Sequence, residues 1–168
     1  MGFDKAILKA VEAQNYEIAT PIQTQAIPVI NSGKDVLGIA QTGTGKTAAF
    51  ALPILNRLYE SKEDAIKRGC RCLVIAPTRE LVSQIAKSFD TYGKFTGLKV
   101  MTLFGGVAHK SQINHLVRGV DIIVATPGRL VDHMKEGNVR LNSTEILVLD
   151  EVDQMLDMGF ITPIRKIV

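Results

Sequence analysis

Five short apolar runs constrain this chain more than any other feature. They are DVLGIA (35–40), CLVIAP (72–77), LKVMTLF (98–104), VDIIVATP (120–127) and EILVLD (145–150). Most are continuously apolar rather than alternating, the pattern of strands covered on both faces. Segments with helical spacing lie between them, the longest being KTAAFALPILNRLY (46–59) and RELVSQIAKSFDTYGKF (79–95). Strand and helix in alternation predict an α/β fold, a doubly wound parallel sheet with helices on both faces and right-handed crossovers. With 168 residues, 46% of them hydrophobic, the chain supports one domain with a substantial core and is short for two.

Two helices are expected before the first run. Asp4 is placed to cap KAILKAVEAQ, and Thr20-Pro21 opens IQTQAIPVINSG with proline at the first helical position. Pro28 predicts a kink or an early end to the second. The charge-rich stretch ESKEDAIKRG (60–69) reads as a solvated helix end and loop.

Charge narrows the function classes only slightly. A net charge of +3 is too weak to imply a nucleic-acid partner, so local sites must argue for one. No run approaches the roughly 18 apolar residues of a membrane span, and the N-terminus lacks a signal-peptide core. Cys70 and Cys72 form a lone C-x-C, and His109, His115 and His133 show no spacing that would complete a zinc site. The cysteines are expected to be core thiols in a reducing, cytoplasmic setting.

In open parallel sheets, ligands bind beyond the carboxyl ends of the strands. The segments after the five runs are QTGTGKT, PTREL, GG, TPGR and DEVD, all polar, glycine-rich or charged. The first is a phosphate-loop candidate. Gly43 and Gly45 let successive N–H groups of Thr42, Gly43, Thr44 and Gly45 turn toward one anion. Lys46 adds a charge for terminal phosphates, and Thr47 a hydroxyl for Mg²⁺ at the helix start. A glycine-rich turn capping an ordinary helix is the plainer alternative. Asp150 and Glu151 end the last run as the complementary pair: Asp150 to hold Mg²⁺ through water, Glu151 to orient and deprotonate an attacking water. Taken alone, they could equally cap VDQMLDMGF.

With these motifs in order, the chain resembles the N-terminal RecA-like domain of DEAD-box ATP-dependent RNA helicases. TPIQTQAIP resembles the Q motif, AQTGTGKT motif I, PTREL motif Ia, GG the glycine doublet, TPGR motif Ib and DEVD motif II. The resemblance implies ATP and Mg²⁺ as cofactors and RNA as partner. It implies catalytic roles for Glu151, Asp150 and Lys46, and adenine recognition by Gln23, which also fits a capping box with Thr20. It implies RNA-backbone contacts from Pro77, Thr78, Arg79, Gly105, Gly106, Thr126, Pro127, Gly128 and Arg129, and a coupling role between domains for Asp153. Thr78 and Thr126 are each placed to cap a helix N-terminus, where free N–H groups favour phosphate. Backbone contacts imply little sequence preference.

Departures from the family pattern are local, except at the C-terminus. Val152 stands where the family usually has alanine, Ala40 opens motif I in place of glycine, and Ala19 replaces a common proline. Phe3 lies nearer the Q-motif glutamine than the family's adenine-stacking phenylalanine. No Ser-Ala-Thr motif follows DEVD, and the second RecA-like domain is absent. The chain therefore looks like a fragment, residues 1–168 forming an incomplete ATP-binding domain, expected to open no duplex alone. Without a Ser-Ala-Thr strand beside it, the 35–40 strand is expected to leave an unpaired edge that risks self-association.

Overall fold

The computed structural model describes residues 2–41 and 43–168. It divides into two compact units. The first comprises residues up to 63 together with 87–98, and the second residues 64–86 with 99–168.

The first unit is helical. Helix α1 (Lys5–Glu12) starts where Asp4 accepts a hydrogen bond from the Ala6 N–H at 2.8 Å, and it buries Ile7 and Ala10. Helix α2 (Pro21–Asn31) opens on Thr20 with proline in its first turn. Pro28 does not end it, because that residue sits on the exposed face. Helix α3 (Lys46–Ser61) buries Ala48, Ala51, Leu52, Leu55 and Leu58, an apolar stripe at three- and four-residue spacing. It stops at Lys62, which adopts a left-handed conformation.

The second unit is built on the sheet. Strands β1 (Cys72–Ile75), β2 (Val100–Leu103), β3 (Ile122–Ala125) and β4 (Ile146–Leu149) are all parallel, in the order β2-β3-β1-β4. Helices α4 (Arg79–Tyr92), α5 (His109–Arg118), α6 (Pro127–Lys135), α7 (Val152–Asp157) and α8 (Ile161–Ile167) follow or connect the strands. The central strands β1 and β3 are buried at every position, which is why CLVI and IIVA carry no polar residue. Leu73, Ile75, Ile123, Leu103, Leu116 and Leu130 meet in one core cluster. Each fully buried aliphatic side chain of this kind contributes about 1.5–3 kcal/mol. Cys70 and Cys72 are buried free thiols, as the C-x-C pattern predicts, and burial pushes the Cys70 thiol up to about 11.

Four of the five apolar runs thus form the expected parallel strands. The fifth does not. Residues 35–40 carry no regular secondary structure and belong to no strand, and Leu37 and Ile39 are each 90% exposed. A strand exists only with a neighbour that accepts its ladder, and none among the described residues pairs with this one. The expected unpaired edge is therefore not a strand edge but an apolar segment standing in solvent.

Candidate nucleotide and nucleic-acid sites

The glycine-rich loop expected to bind phosphate leads into the N-terminus of α3. Gly43 (φ +79°) and Gly45 (φ +88°) both take the left-handed conformation, and Gly45 is the N-cap of α3. Among the described residues no side-chain cap bond closes this helix and no acid stands in its first turn, so the positive end of its dipole is left to favour an anion. Lys46 and Thr47 are half-buried in that first turn, and the Thr44 hydroxyl donates to the Gln41 carbonyl at 2.7 Å, tightening the loop. Thr42 lies outside the described residues.

Gln23 is joined directly to this loop. Its Nε2 donates to the Gly45 carbonyl at 3.3 Å, and its Oε1 accepts the Thr20 N–H at 3.0 Å. The capping bond and the motif I contact therefore coexist. A primary amide has two donors and two acceptor sites, so one of each remains, the pair an adenine edge requires. A Cβ at Gly45 would lie 2.5 Å from Gln23 Nε2 and 3.1 Å from Thr20 Oγ1, so only glycine admits this approach. Thr20 Oγ1 is buried and forms the other half of the capping box, facing the Gln23 N–H.

The acidic pair lies at the end of β4. The Asp150 N–H donates to the Ile75 carbonyl at 2.9 Å, extending the ladder by one residue, and the residue is 9% exposed. Its Oδ1 accepts the Glu151 N–H at 3.1 Å. Glu151 holds φ +54° and ψ +50° as the N-cap of α7. A left-handed backbone at a residue with a Cβ costs about 1–2 kcal/mol, which marks this turn as one the chain retains despite strain. Val152 is 38% exposed, so its extra methyls displace nothing. Asp153 is exposed in the first turn of α7, where it complements the helix dipole.

Three of the expected RNA segments converge within the second unit, at the carboxyl ends of β1, β2 and β3. Pro77 is buried, and Thr78 Oγ1 accepts the Leu81 N–H at 3.2 Å, starting α4 as expected. Arg79 is exposed, its guanidinium 5.3 Å from the Phe104 ring centre. A Cβ on Gly106 (φ +82°) would come within 2.6 Å of Arg79 Nη1, and one on Gly105 within 3.9 Å of Arg129 Nη2. The glycine doublet thus lies between the two arginines. Thr126 occupies the N-cap of α6 with Pro127 after it, but its hydroxyl makes no capping bond, unlike that of Thr78. Gly128 has open space where a side chain would stand.

Sequence reasoning missed a polar cluster beside Arg129. Gln112 on α5, His133 on α6 and Asn138 are buried, and their neighbours His109 and Glu136 are half-buried and exposed respectively. The only sequence signal is helical spacing, His109 with Gln112 and Arg129 with His133 sharing faces. His109 and His133 stack with ring centres 4.1 Å apart and planes within 10°. Burial, then the charges of His109 and Arg129, lower the His133 pKa and favour its neutral form. The hydrogen bond from His109 holds the Glu136 carboxyl below its usual range. Ligand atoms of His109, His133 and Glu136 lie within 4.8 Å of one another. They are wired as a hydrogen-bond network and not as a metal site. Arg129 Nη1 approaches His109 Nδ1 at 3.3 Å while His109 Nε2 faces the Glu136 carboxylate. A cation there would face a guanidinium.

A glycine-rich loop at a helix N-terminus, an acidic pair ending a parallel strand and two arginines beside a glycine doublet place the chain among α/β proteins with a parallel sheet and polar segments at its strand ends. The chain belongs to the DEAD/DEAH box helicase family, whose model matches residues 20–168. It is 44% identical over 167 residues to the DEAD-box ATP-dependent RNA helicase CshA of Bacillus cereus, covering 99% of this chain and 31% of that protein. It is 45% identical over 169 residues to the probable ATP-dependent RNA helicase DDX17 of Homo sapiens, covering 23% of it. Among solved structures it superposes on the RNA helicase Prp28 from Chaetomium thermophilum bound to ADP, with a TM-score of 0.91 and 40% identity, covering 99% of this chain and 41% of that one. A hypothetical ATP-dependent RNA helicase from Sulfolobus tokodaii gives 0.88 and 40%, with 98% and 46% covered. The chain therefore spans about a third or less of the curated relatives it matches. No helix of the described residues is long and apolar enough to cross a membrane.

Proposed function

We propose that this chain is the ATP-binding and RNA-binding part of an ATP-dependent RNA helicase that hydrolyses ATP to open short RNA duplexes. The observation that carries the reading is the convergence of Arg79 and Arg129 on Gly105 and Gly106, at the ends of three adjacent strands. Two guanidiniums flanking a doublet without side chains form a track for a phosphodiester backbone, which an arginine grips with a charge-assisted fork. Thr78, Thr126 and Gly128 would add hydroxyl and N–H donors at the helix starts, with Pro77 and Pro127 fixing the turns.

The first unit fits a nucleotide. Gly43 and Gly45 hold the loop in left-handed conformations, Gly43 has open space around it, and no side-chain cap bond among the described residues covers the N-terminus of α3. Gln23 would read the adenine edge with its remaining donor and acceptor. The loop from Thr42 to Gly45 and Lys46 would hold the phosphates. Thr47 in the first unit offers a hard oxygen donor of the kind that suits Mg²⁺, and so, taken by itself in the second unit, does Asp150; the ion when bound would offset the charge developing on the phosphates. Glu151 would orient the attacking water and accept its proton. Asp153, exposed on α7, would couple this turn to a second RecA-like domain. The buried free thiols suit a reducing, cytoplasmic setting.

Titration of this chain with ATP, GTP and single-stranded RNA tests the reading. ATP is expected to bind in preference to GTP, and Gln23→Ala to reduce that preference. RNA is expected to bind with little sequence dependence and with affinity falling steeply as salt rises. Equal affinity for ATP and GTP would overturn the adenine assignment, and robust strand separation by this chain alone would contradict its assignment as one part of the machine.

A further inference from the structure

We propose that Gln112 is the positioning residue of the RNA track, fixing Arg129 and the glycine doublet to one another so that the phosphate-binding arginine is ordered before RNA arrives. This rests on the RNA reading above. Gln112 is 4% exposed and makes three hydrogen bonds with one amide. Its Nε2 donates to the Phe104 carbonyl at 3.1 Å, the peptide immediately before Gly105. Its Oε1 accepts from Arg129 Nη1 at 3.2 Å and from His133 Nε2 at 2.8 Å. The orientation of the amide follows from its partners, because a carbonyl cannot donate and a guanidinium cannot accept.

The contacts on Arg129 are one-sided. Its bonds to Gln112 Oε1, His109 Nδ1 (3.3 Å) and the Val107 carbonyl (3.5 Å) all use Nη1. Nη2 is directed toward Gly105 instead. One edge of the guanidinium is thus held by protein while the other faces the doublet. His133, buried and neutral, keeps its N–H on the Gln112 oxygen and so holds the amide in place. A glutamine is the side chain that meets both requirements. Glutamate would set a carboxylate against the Phe104 carbonyl, and leucine would leave that carbonyl, His133 and Arg129 without this partner. Ordering one long side chain in advance is worth about two- to tenfold in affinity.

The test measures binding of a labelled single-stranded RNA to this chain by fluorescence anisotropy, for wild type, Q112L, R129A, the double variant and Q112E. Q112L is expected to weaken RNA binding about two- to tenfold while ATP affinity is unchanged. In the R129A background the same substitution is expected to cost clearly less, because only its hold on the Phe104 peptide is then left to lose. A purely structural role would not give that dependence. Q112E keeps both acceptor contacts, so it reports on the track even if Q112L fails to fold. Its carboxylate grips Arg129 and releases Phe104, and RNA binding is expected to fall. Wild-type affinity in Q112E, or equal losses from Q112L with and without Arg129, would overturn the inference alone. Failure of the wild-type chain to bind RNA would overturn the RNA reading and this inference with it.

Discussion

Glu151 is the residue at which backbone and chemistry conflict. Its left-handed conformation would suit glycine, yet a carboxylate stands there. Replacement by glycine removes about 1–2 kcal/mol of strain and adds about 0.5–1 kcal/mol of unfolded-state entropy, so the two nearly cancel. Thermal unfolding of Glu151→Gly is therefore expected at or slightly above the wild-type temperature. Glu151→Val, which brings a β-branched side chain to a positive φ, is expected to unfold at a clearly lower temperature. If glycine lowered the midpoint as much as valine does, the carboxylate would be a stabilising cap and the strain argument would fail. The same conflict explains why this position was legible from sequence only as chemistry. An Asp-Glu pair after an apolar run suggests a role, but nothing in four neighbouring letters reveals a positive φ.

At the scale of elements, the starts of β1 and β4 are clipped together by an ion pair. Arg71 is fully buried, and its Nε lies 2.9 Å from Glu145 Oε1, whose side chain is 36% exposed. Backbone bonds from the Glu145 and Ile146 N–H groups to the Arg71 carbonyl (2.8 and 3.1 Å) continue the ladder there. The two partners differ in what they leave behind. Glu145→Ala leaves a buried guanidinium without its carboxylate, which costs about 1–3 kcal/mol after allowing for the exposed partner. Arg71→Met fills the same space with an apolar chain and leaves a carboxylate that water can reach. Urea unfolding is expected to rank Glu145→Ala as the less stable of the two, and the reverse order would remove the argument from burial. The strands this clip joins were legible because β1 is apolar at every position. The clip was not, because an arginine inside CRCLVI looks like a solvent-facing residue until the sheet is covered on both sides. The miss at 35–40 has the opposite cause. DVLGIA has the composition of a buried strand, but pairing is a property of two segments, and composition reports on one.

For the molecule as a whole, that unpaired segment sets the solution behaviour. Val36, Leu37 and Ile39 are exposed, the last two at 90% each, with no ladder partner among the described residues. Unpaired apolar backbone of this kind can pair with another copy, and a net charge of +3 gives little repulsion against it. The wild-type chain is expected to self-associate as its concentration rises. A Leu37→Ser, Ile39→Ser double variant is expected to remain monomeric at the same concentrations. Neither side chain is buried, so the substitutions remove almost no packing, and the variant's unfolding midpoint is expected to stay within the range of ordinary surface changes, about 0.5 kcal/mol. Sedimentation velocity across a concentration series, with thermal unfolding alongside, decides it. A wild-type chain that stays monomeric, or a double variant that associates equally, would show that this segment is not the adhesive one. A large loss of stability would show that Leu37 and Ile39 are buried in solution, and that 35–40 is a paired strand after all.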